Sequence, residues 1–200
     1  MLTIGLTGGI GSGKSEVARA LEEFGAVVVN ADRVGHQAYA PNTEAWHEVV
    51  AAFGEDILAA NGEVDRKKLG AVVFSDPKAL ARLNRIMHPR IYQAIAAQLQ
   101  RLREQGVRVA VVEAALLIEA GWLPLVDEVW VVSASEEAVV QRVRARTSLS
   151  EDEVRRRIRS QMSAEERRRY ADVVIENEGT LEELRQRVRA LWEERVRPRV

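Results

Sequence analysis

The sequence contains no cysteine, which removes disulfides, thiol nucleophiles and cysteine-ligated zinc from consideration. It has no excess of charge. The 29 basic and 30 acidic side chains leave a formal net charge of −1, so no overall field draws the chain to nucleic acid or to an anionic membrane. Long hydrophobic runs are missing too. The nearest approach, around residues 109–126, is interrupted by Glu113 and Glu119 and falls short of the roughly 18 apolar residues that mark a membrane helix. The first residues carry neither the charged stretch nor the cleavage site of a secretory leader. Repeats, low-complexity tracts and flexible linkers are also absent. Lysine is scarce: 25 of the 29 basic residues are arginine, a bias that a GC-rich genome or a thermophilic habit would each produce. What is present is a 200-residue chain, 46% hydrophobic and 30% charged. That is enough to bury the core of one α/β domain with insertions, and the expected location is the cytoplasm.

Glycine, by contrast, is concentrated near the start, in "TIGLTGGIGSGKSEVARALEEFG". Each glycine in a helix costs about 1 kcal/mol relative to alanine, so residues 8–13 resist regular structure. Before them, Leu2 to Thr7 alternates and carries β-branched residues, which predicts a short buried strand. After them, Val17, Ala18, Leu21 and Phe24 share one helical face, and Gly25 stands where a C-cap belongs. Gly8 to Ser15 fits G-x-x-x-x-G-K-[ST], the P-loop pattern, in this strand–loop–helix setting. Glycines let backbone N–H groups converge on phosphate oxygens, and the helix N-terminus adds its dipole. Lys14 would reach the β- and γ-phosphates, and the Ser15 hydroxyl would ligate Mg²⁺. The plain alternative is a flexible glycine-rich turn.

Four further strands are predicted. Residues 26–30 form an apolar run that ends in Asn30, and residues 109–112 lead into Glu113. Residues 129–132 lead into Ser133, and residues 173–175 into Glu176 and Asn177. Unbroken valine runs suit strands covered on both faces, and helical segments lie between them. The expected fold is α/β, a doubly wound five-stranded parallel sheet of the P-loop, nucleotide-kinase-like kind. Ligands then belong beyond the carboxyl ends of the strands. The core is assigned to residues 1–31, 107–135 and 171–200, a helical substrate-binding insert to 32–106, and a helical lid to 136–170. Within the insert, helices are expected to start at Asp76-Pro77 and again at His88-Pro89, each with proline in its first turn. Ser150 with Glu153, and Thr180 with Glu183, form capping boxes. Leu181, Leu184, Val188 and Leu191 mark the buried stripe of the last helix.

A GTPase reading has one foothold, D-x-x-G at Asp32 to Gly35. That lies only 18 residues after Lys14, and no N-K-x-D follows to read guanine. A nucleic-acid-binding P-loop module would need a basic excess that the chain lacks. A kinase reading fares better, and here the chain resembles the dephospho-CoA kinase family over essentially its whole length. The matching segments are "GLTGGIGSGKS", "VVNADRVGHQ", "LNRIMHPRI", "VVEAALLIEAGW", "VWVVSASEEAVVQRVRAR", "RIRSQ" and "ADVVIENEG", in order and at the family's spacing. The resemblance implies transfer of the γ-phosphoryl group of ATP, with Mg²⁺, to the 3′-hydroxyl of dephospho-CoA. The partner is therefore a small molecule rather than nucleic acid or membrane, and the chain is expected to be a monomer or a weak homo-oligomer. A kinase for another small alcohol or nucleotide is the nearer alternative. In two places the chain departs from the family pattern. Asn30-Ala31-Asp32 replaces the usual Asp-Ala-Asp, and Ala115-Leu116-Leu117-Ile118-Glu119 replaces Pro-Leu-Leu-Phe-Glu.

The same resemblance implies the site. Gly9, Gly11, Ser12, Gly13, Lys14, Ser15 and Glu16 would hold ATP, joined by Arg142, Arg146 and Asn177. Asp32 would act as base, with Lys14 and Arg142 also catalytic. Asp32, His88, Glu113 and Leu117 would meet the acceptor. Ser15 would ligate Mg²⁺ directly and Glu113 through water. Each has a plainer rival. Asp32 could cap a helix, Glu113 could be a structural carboxylate, His88 could sit at a helix start, and Asn177 before Gly179 suits a turn. Arg142 and Arg146, spaced i,i+4, are expected to point together into a cleft. Arg155 to Arg157 and Arg167 to Arg169 read as mostly solvated faces.

Overall fold

The computed structural model describes residues 1–200, and its sheet is organised about the first strand. β1 (Leu2–Gly8) is buried at every position. It is flanked by β3 (Val109–Glu113) on one side and β4 (Glu128–Ser133) on the other, both parallel to it. β2 (Val27–Asn30) pairs with β3 and β5 (Val173–Glu176) with β4, giving the order β2-β3-β1-β4-β5. Parallel neighbours require crossovers, and the helices that supply them cover the sheet faces. That is why the valine runs need no polar alternation.

α1 (Lys14–Glu23) buries Val17, Ala18, Ala20 and Leu21, and α9 (Leu181–Leu191) buries Leu184 and Val188. These side chains share one core with Ile4, Leu6, Trp130 and Ile175, each large aliphatic burial contributing about 1.5–3 kcal/mol. Leu181, expected in the stripe, is exposed because it sits in the first turn of α9. Gly25 ends α1 as expected, at φ 103°, with its N–H returned to the Glu22 carbonyl.

α6 (Glu136–Arg146), α7 (Glu151–Arg159) and α8 (Ala164–Arg168) follow β4. Ser150 and Ser163 complete capping boxes with Glu153 and Glu166, caps typically worth about 1 kcal/mol each. A small core of Val139, Val140, Val143 and Val154 joins α6 to α7. Near the C-terminus, Arg195 and Arg199 both pair with Glu128, whose carboxylate also accepts from Trp130 Nε1 at 2.9 Å. Burial alone would raise the Glu128 pKa. The bonds from Trp130, Arg195 and Arg199 outweigh it and hold the group below the ordinary carboxylate value.

The chain divides into two units, residues 1–30 with 99–200, and residues 31–98. The second holds α2 (Ala31–Ala38), α3 (Glu44–Phe53), α4 (Arg66–Ser75) and most of α5 (Pro77–Glu104). Its own core contains Val49, Ile57, Leu69, Val73 and Met87. One expectation is corrected here: no new helix begins at Pro89, which lies inside the continuous α5. A proline in a helix interior removes one backbone donor and crowds the preceding turn. Arg90, the next residue, ties this stretch of α5 to its surroundings. Its guanidinium donates to the Ile86 carbonyl at 2.9 Å and is itself held by Glu48 at 2.5 Å. No helix is long and apolar enough to cross a membrane.

Candidate active site

β1 ends at Gly8 and α1 begins at Lys14. The loop between them turns through Gly11 at φ 68° and Gly13 at φ 98°, a left-handed conformation that costs other residues roughly 1–2 kcal/mol. Space reinforces the requirement at Gly13, where a Cβ would collide with the Asn177 side-chain amide. That amide is buried and donates from Nδ2 to the Ser12 carbonyl at 2.8 Å. From the segment after α7, Gln161 Oε1 accepts the Ile10 N–H at 2.9 Å. The loop is thus held from two directions by carboxamides. Residues 8–16, with Ala115, Arg146 and Gln161, line a cavity of about 300 Å³.

Three side chains converge on Glu113, which closes β3 and is buried. Ser15 Oγ donates to Glu113 Oε1 at 2.9 Å, and Lys14 Nζ lies 3.5 Å from the same oxygen. Asn30 is the ladder partner of Glu113, and its Nδ2 donates to Oε2 at 2.8 Å. Both carboxylate oxygens therefore have donors, which satisfies a buried anion. An aspartate at position 30 would set two carboxylates against each other at this distance. The departure Asn30 exchanges that repulsion for a hydrogen bond.

The remaining expected residues are distributed as follows. Arg142 Nη2 lies 3.4 Å from both Asn177 Oδ1 and the Gly179 carbonyl, whereas the exposed Arg146 lines the loop cavity. Arg142 thus engages the Asn177 segment, while Arg146 borders the loop cavity. Glu16, in the first turn of α1, lines the cavity and pairs with Arg19 at 2.6 Å. Asp32 is exposed and is the second residue of α2, hence inside the helix rather than at its N-cap. His88 lies in mid-helix and is half-buried; burial lowers its pKa. Leu117 is fully buried, packed so closely under β1 that a Cβ on Gly5 would come within 2.6 Å of it. Ala115, the other departure, lines the loop cavity and its carbonyl accepts from Thr7 Oγ1 at 3.3 Å.

A family model described as dephospho-CoA kinase matches residues 2–183. The chain belongs to the dephospho-CoA kinase family. A dephospho-CoA kinase of Geobacter sulfurreducens is 50% identical over 195 residues, covering 98% of this chain and 99% of that one. Among solved structures, the protein TT1252 of Thermus thermophilus aligns with TM-score 0.81 and 36% identity over 98% of both chains. Dephospho-CoA kinase from Campylobacter jejuni aligns with TM-score 0.75 and 26% identity, over 99% of this chain and 98% of that one.

For a member of the dephospho-CoA kinase family, two side chains at the loop escape a sequence reading. Gln161 sits in the matching segment "RIRSQ" without marking itself as a loop contact. Arg167 corrects an expectation. It was grouped with the solvated Arg168 and Arg169, yet its side chain is only 5% exposed. It pairs with Glu119 at 3.4 Å, and its Nη1 lies 3.6 Å from where a Gly9 Cβ would stand. Ser163 and Glu166 form a capping box that marks where this short helix starts, but not which face it buries.

Proposed function

We propose that this chain transfers the γ-phosphoryl group of ATP to the ribose 3′-hydroxyl of dephospho-CoA, the last step in making coenzyme A. The observation that carries the reading is the convergence of Lys14, Ser15 and Asn30 on Glu113 beside a glycine loop held by Gln161 and Asn177. Phosphoryl transfer asks little covalent work of a protein and much positioning of charge. Amides of residues 9–16 cradle the phosphates, and Lys14 stabilises the charge that grows on the transferred group. Arg142 and Arg146 complete the donor site, Arg142 together with Asn177. The residues also suit Mg²⁺. Ser15 Oγ and Glu113 Oε1 are hard oxygen donors 2.9 Å apart, and the chain offers no cluster of three or more metal-binding side chains. That matches an ion held by one or two protein groups plus phosphates and water. When bound, Mg²⁺ neutralises phosphate charge.

Asp32 accepts the acceptor hydroxyl's proton in this reading, and His88 and Glu113 contribute to the acceptor site. Leu117 supports that site from the core. Residues 32–106 serve as the acceptor-binding insert and 136–170 as the lid. The same reading assigns a cytoplasmic chain that acts on a small molecule rather than nucleic acid, as a monomer or weak homo-oligomer. A coupled ADP-release assay tests it, run with dephospho-CoA, nucleoside monophosphates and shikimate-like alcohols in parallel. Dephospho-CoA should give the highest kcat/KM. Faster release with a nucleoside monophosphate would move the chain to the nucleotide kinases.

A further inference from the structure

Arg167 is a buried cation with too few partners. Its single ion pair, Nη2 to Glu119 Oε1, is 3.4 Å long, well beyond the 2.7–2.9 Å of a good charge-assisted bond. Its Nε is buried and has no hydrogen-bond partner. Leaving a buried donor unmade is costly, and more so when it belongs to a charged group. The guanidinium faces a cavity of about 410 Å³ lined by Gly9, Ile10, Ser12, Ser133, Gln161 and Arg167. A second orphan lines the same cavity: Ser12 Oγ, also buried and without a partner. Arg159 also lines the cavity, from an exposed position, and most of the other polar walls are occupied. Ser133 Oγ accepts from Arg168, Gln161 Oε1 accepts from Ile10, and the lining carboxylate Glu136 is paired with Arg155 at 2.5 Å. The buried atoms that remain without a partner are the Arg167 Nε–H and the Ser12 hydroxyl beside the glycine loop, and both can donate to an anionic oxygen.

Glu119 is the movable half of the pair, since its side chain is 25% exposed against 5% for Arg167. It can turn to water as an incoming phosphate oxygen takes its place at the Arg167 guanidinium. We propose that Arg167 is a catalytic residue, exchanging Glu119 for a phosphate oxygen of the nucleotide donor and stabilising the charge that develops there during transfer. The inference rests on the glycine loop holding the donor's phosphates, as in the proposed function. It assigns the lid a third guanidinium besides Arg142 and Arg146, and the most buried of the three.

The test compares R167A, R167K and E119Q by steady-state kinetics, by calorimetry with ADP and a non-hydrolysable ATP analogue, and by thermal melting. R167A should lower kcat by about 10²–10³-fold, the usual cost of removing one preorganised transition-state donor. R167K should recover little of this, because an ammonium cannot reproduce the planar fork. E119Q should keep kcat within about threefold, since Glu119 only stores the guanidinium. Free guanidinium ion at millimolar concentration should restore part of the R167A rate and leave the wild type unchanged. If R167A does not fold, the double substitution R167M/E119Q, which leaves no buried charge, carries the same kinetic expectation. Equal losses of kcat and of melting temperature in R167A and E119Q, with no guanidinium rescue, would overturn the proposal and make the pair a structural brace. Failure of the underlying reading looks different: the wild type itself would release no ADP from ATP with dephospho-CoA.

Discussion

In the unit formed by residues 1–30 and 99–200, Lys14, Ser15 and Asn30 are all committed to Glu113, and Asn177 and Gln161 are committed to the glycine loop. In the unit of residues 31–98, Asp32 is exposed on the first turn of α2, while the strong polar links, such as Arg90 to Glu48, serve helix packing. The first unit preorganises its chemistry before any ligand arrives. The second devotes its ordered contacts to its own core and leaves its candidate base to the solvent. Substitutions in the first should therefore spread through shared partners, and a substitution at Asp32 should act locally.

Lys14→Ala tests the preorganised side hardest. It should lower kcat by about 10³-fold or more, because it removes a full charge from the transferring phosphoryl group. The melting temperature should hardly move, since the 3.5 Å contact with Glu113 is a weak one. Near-normal turnover would dissolve the contrast between the units. Asp32→Asn probes the other side. Asparagine and aspartate cap helices equally well, and Asp32 is not at the N-cap, so stability and ATP affinity should hold. A base role predicts a fall in kcat of about 10²–10⁴-fold, read by ADP release alongside calorimetry. Unchanged turnover would reduce Asp32 to a surface carboxylate.

Arg142→Lys should have a smaller effect, about tenfold in kcat, because lysine cannot span Asn177 Oδ1 and the Gly179 carbonyl together. ATP affinity measured by calorimetry should change less. A fully active variant would mean that Arg142 contributes charge alone. Glu128→Gln carries the comparison away from the site and should leave kcat untouched. It should cost about 1–2 kcal/mol of stability at pH 7 through the lost charge on the bonds to Arg195 and Arg199. The folded-state pKa of Glu128 is depressed, so its stabilisation is present above the unfolded value, near 4.5, and disappears as pH falls through the folded value. Urea denaturation should therefore show the wild-type advantage at neutral pH and lose it in acid. A gap that did not narrow as the pH fell would assign the effect to packing.

The features legible in the sequence were those written in local chemistry. The glycine loop, the valine strands, the Gly25 terminus and the capping boxes at Ser150 and Thr180 each depend on neighbours within a few residues. Pro89 misled because its local signal is the same at a helix start and in a helix interior. In the fold Pro89 lies inside a continuous helix, beside Arg90, which pairs with the distant Glu48. Arg167 and its neighbours Arg168 and Arg169 cannot be ranked by sequence, since burial of one depends on Glu119, 48 positions away. Asn177 was found through the resemblance, but its bond to Ser12 spans 165 positions and no pattern announces it. The candidate residues of the two units are legible by different routes, motif for the loop and resemblance for Asp32 and His88.

The central place of β1 in the sheet also orders the chain's assembly in time. β1 precedes the other strands of its sheet in the chain, yet its pairing partners begin only at Val109 and Glu128. Translation adds about 5–20 residues per second, so the strand bearing the glycine loop waits through the synthesis of residues 9–108 with both edges unpaired. During that wait the whole of residues 31–98 is made, with the core residues of that unit, Ala45 to Ile91, among them. The insert is thus positioned to fold as an early, local unit, while the sheet closes late through contacts of long sequence separation. A nascent chain stalled before β3 carries an apolar strand, Leu2 to Gly8, with neither of its sheet partners yet made. That is the species in which self-association by strand pairing is most exposed.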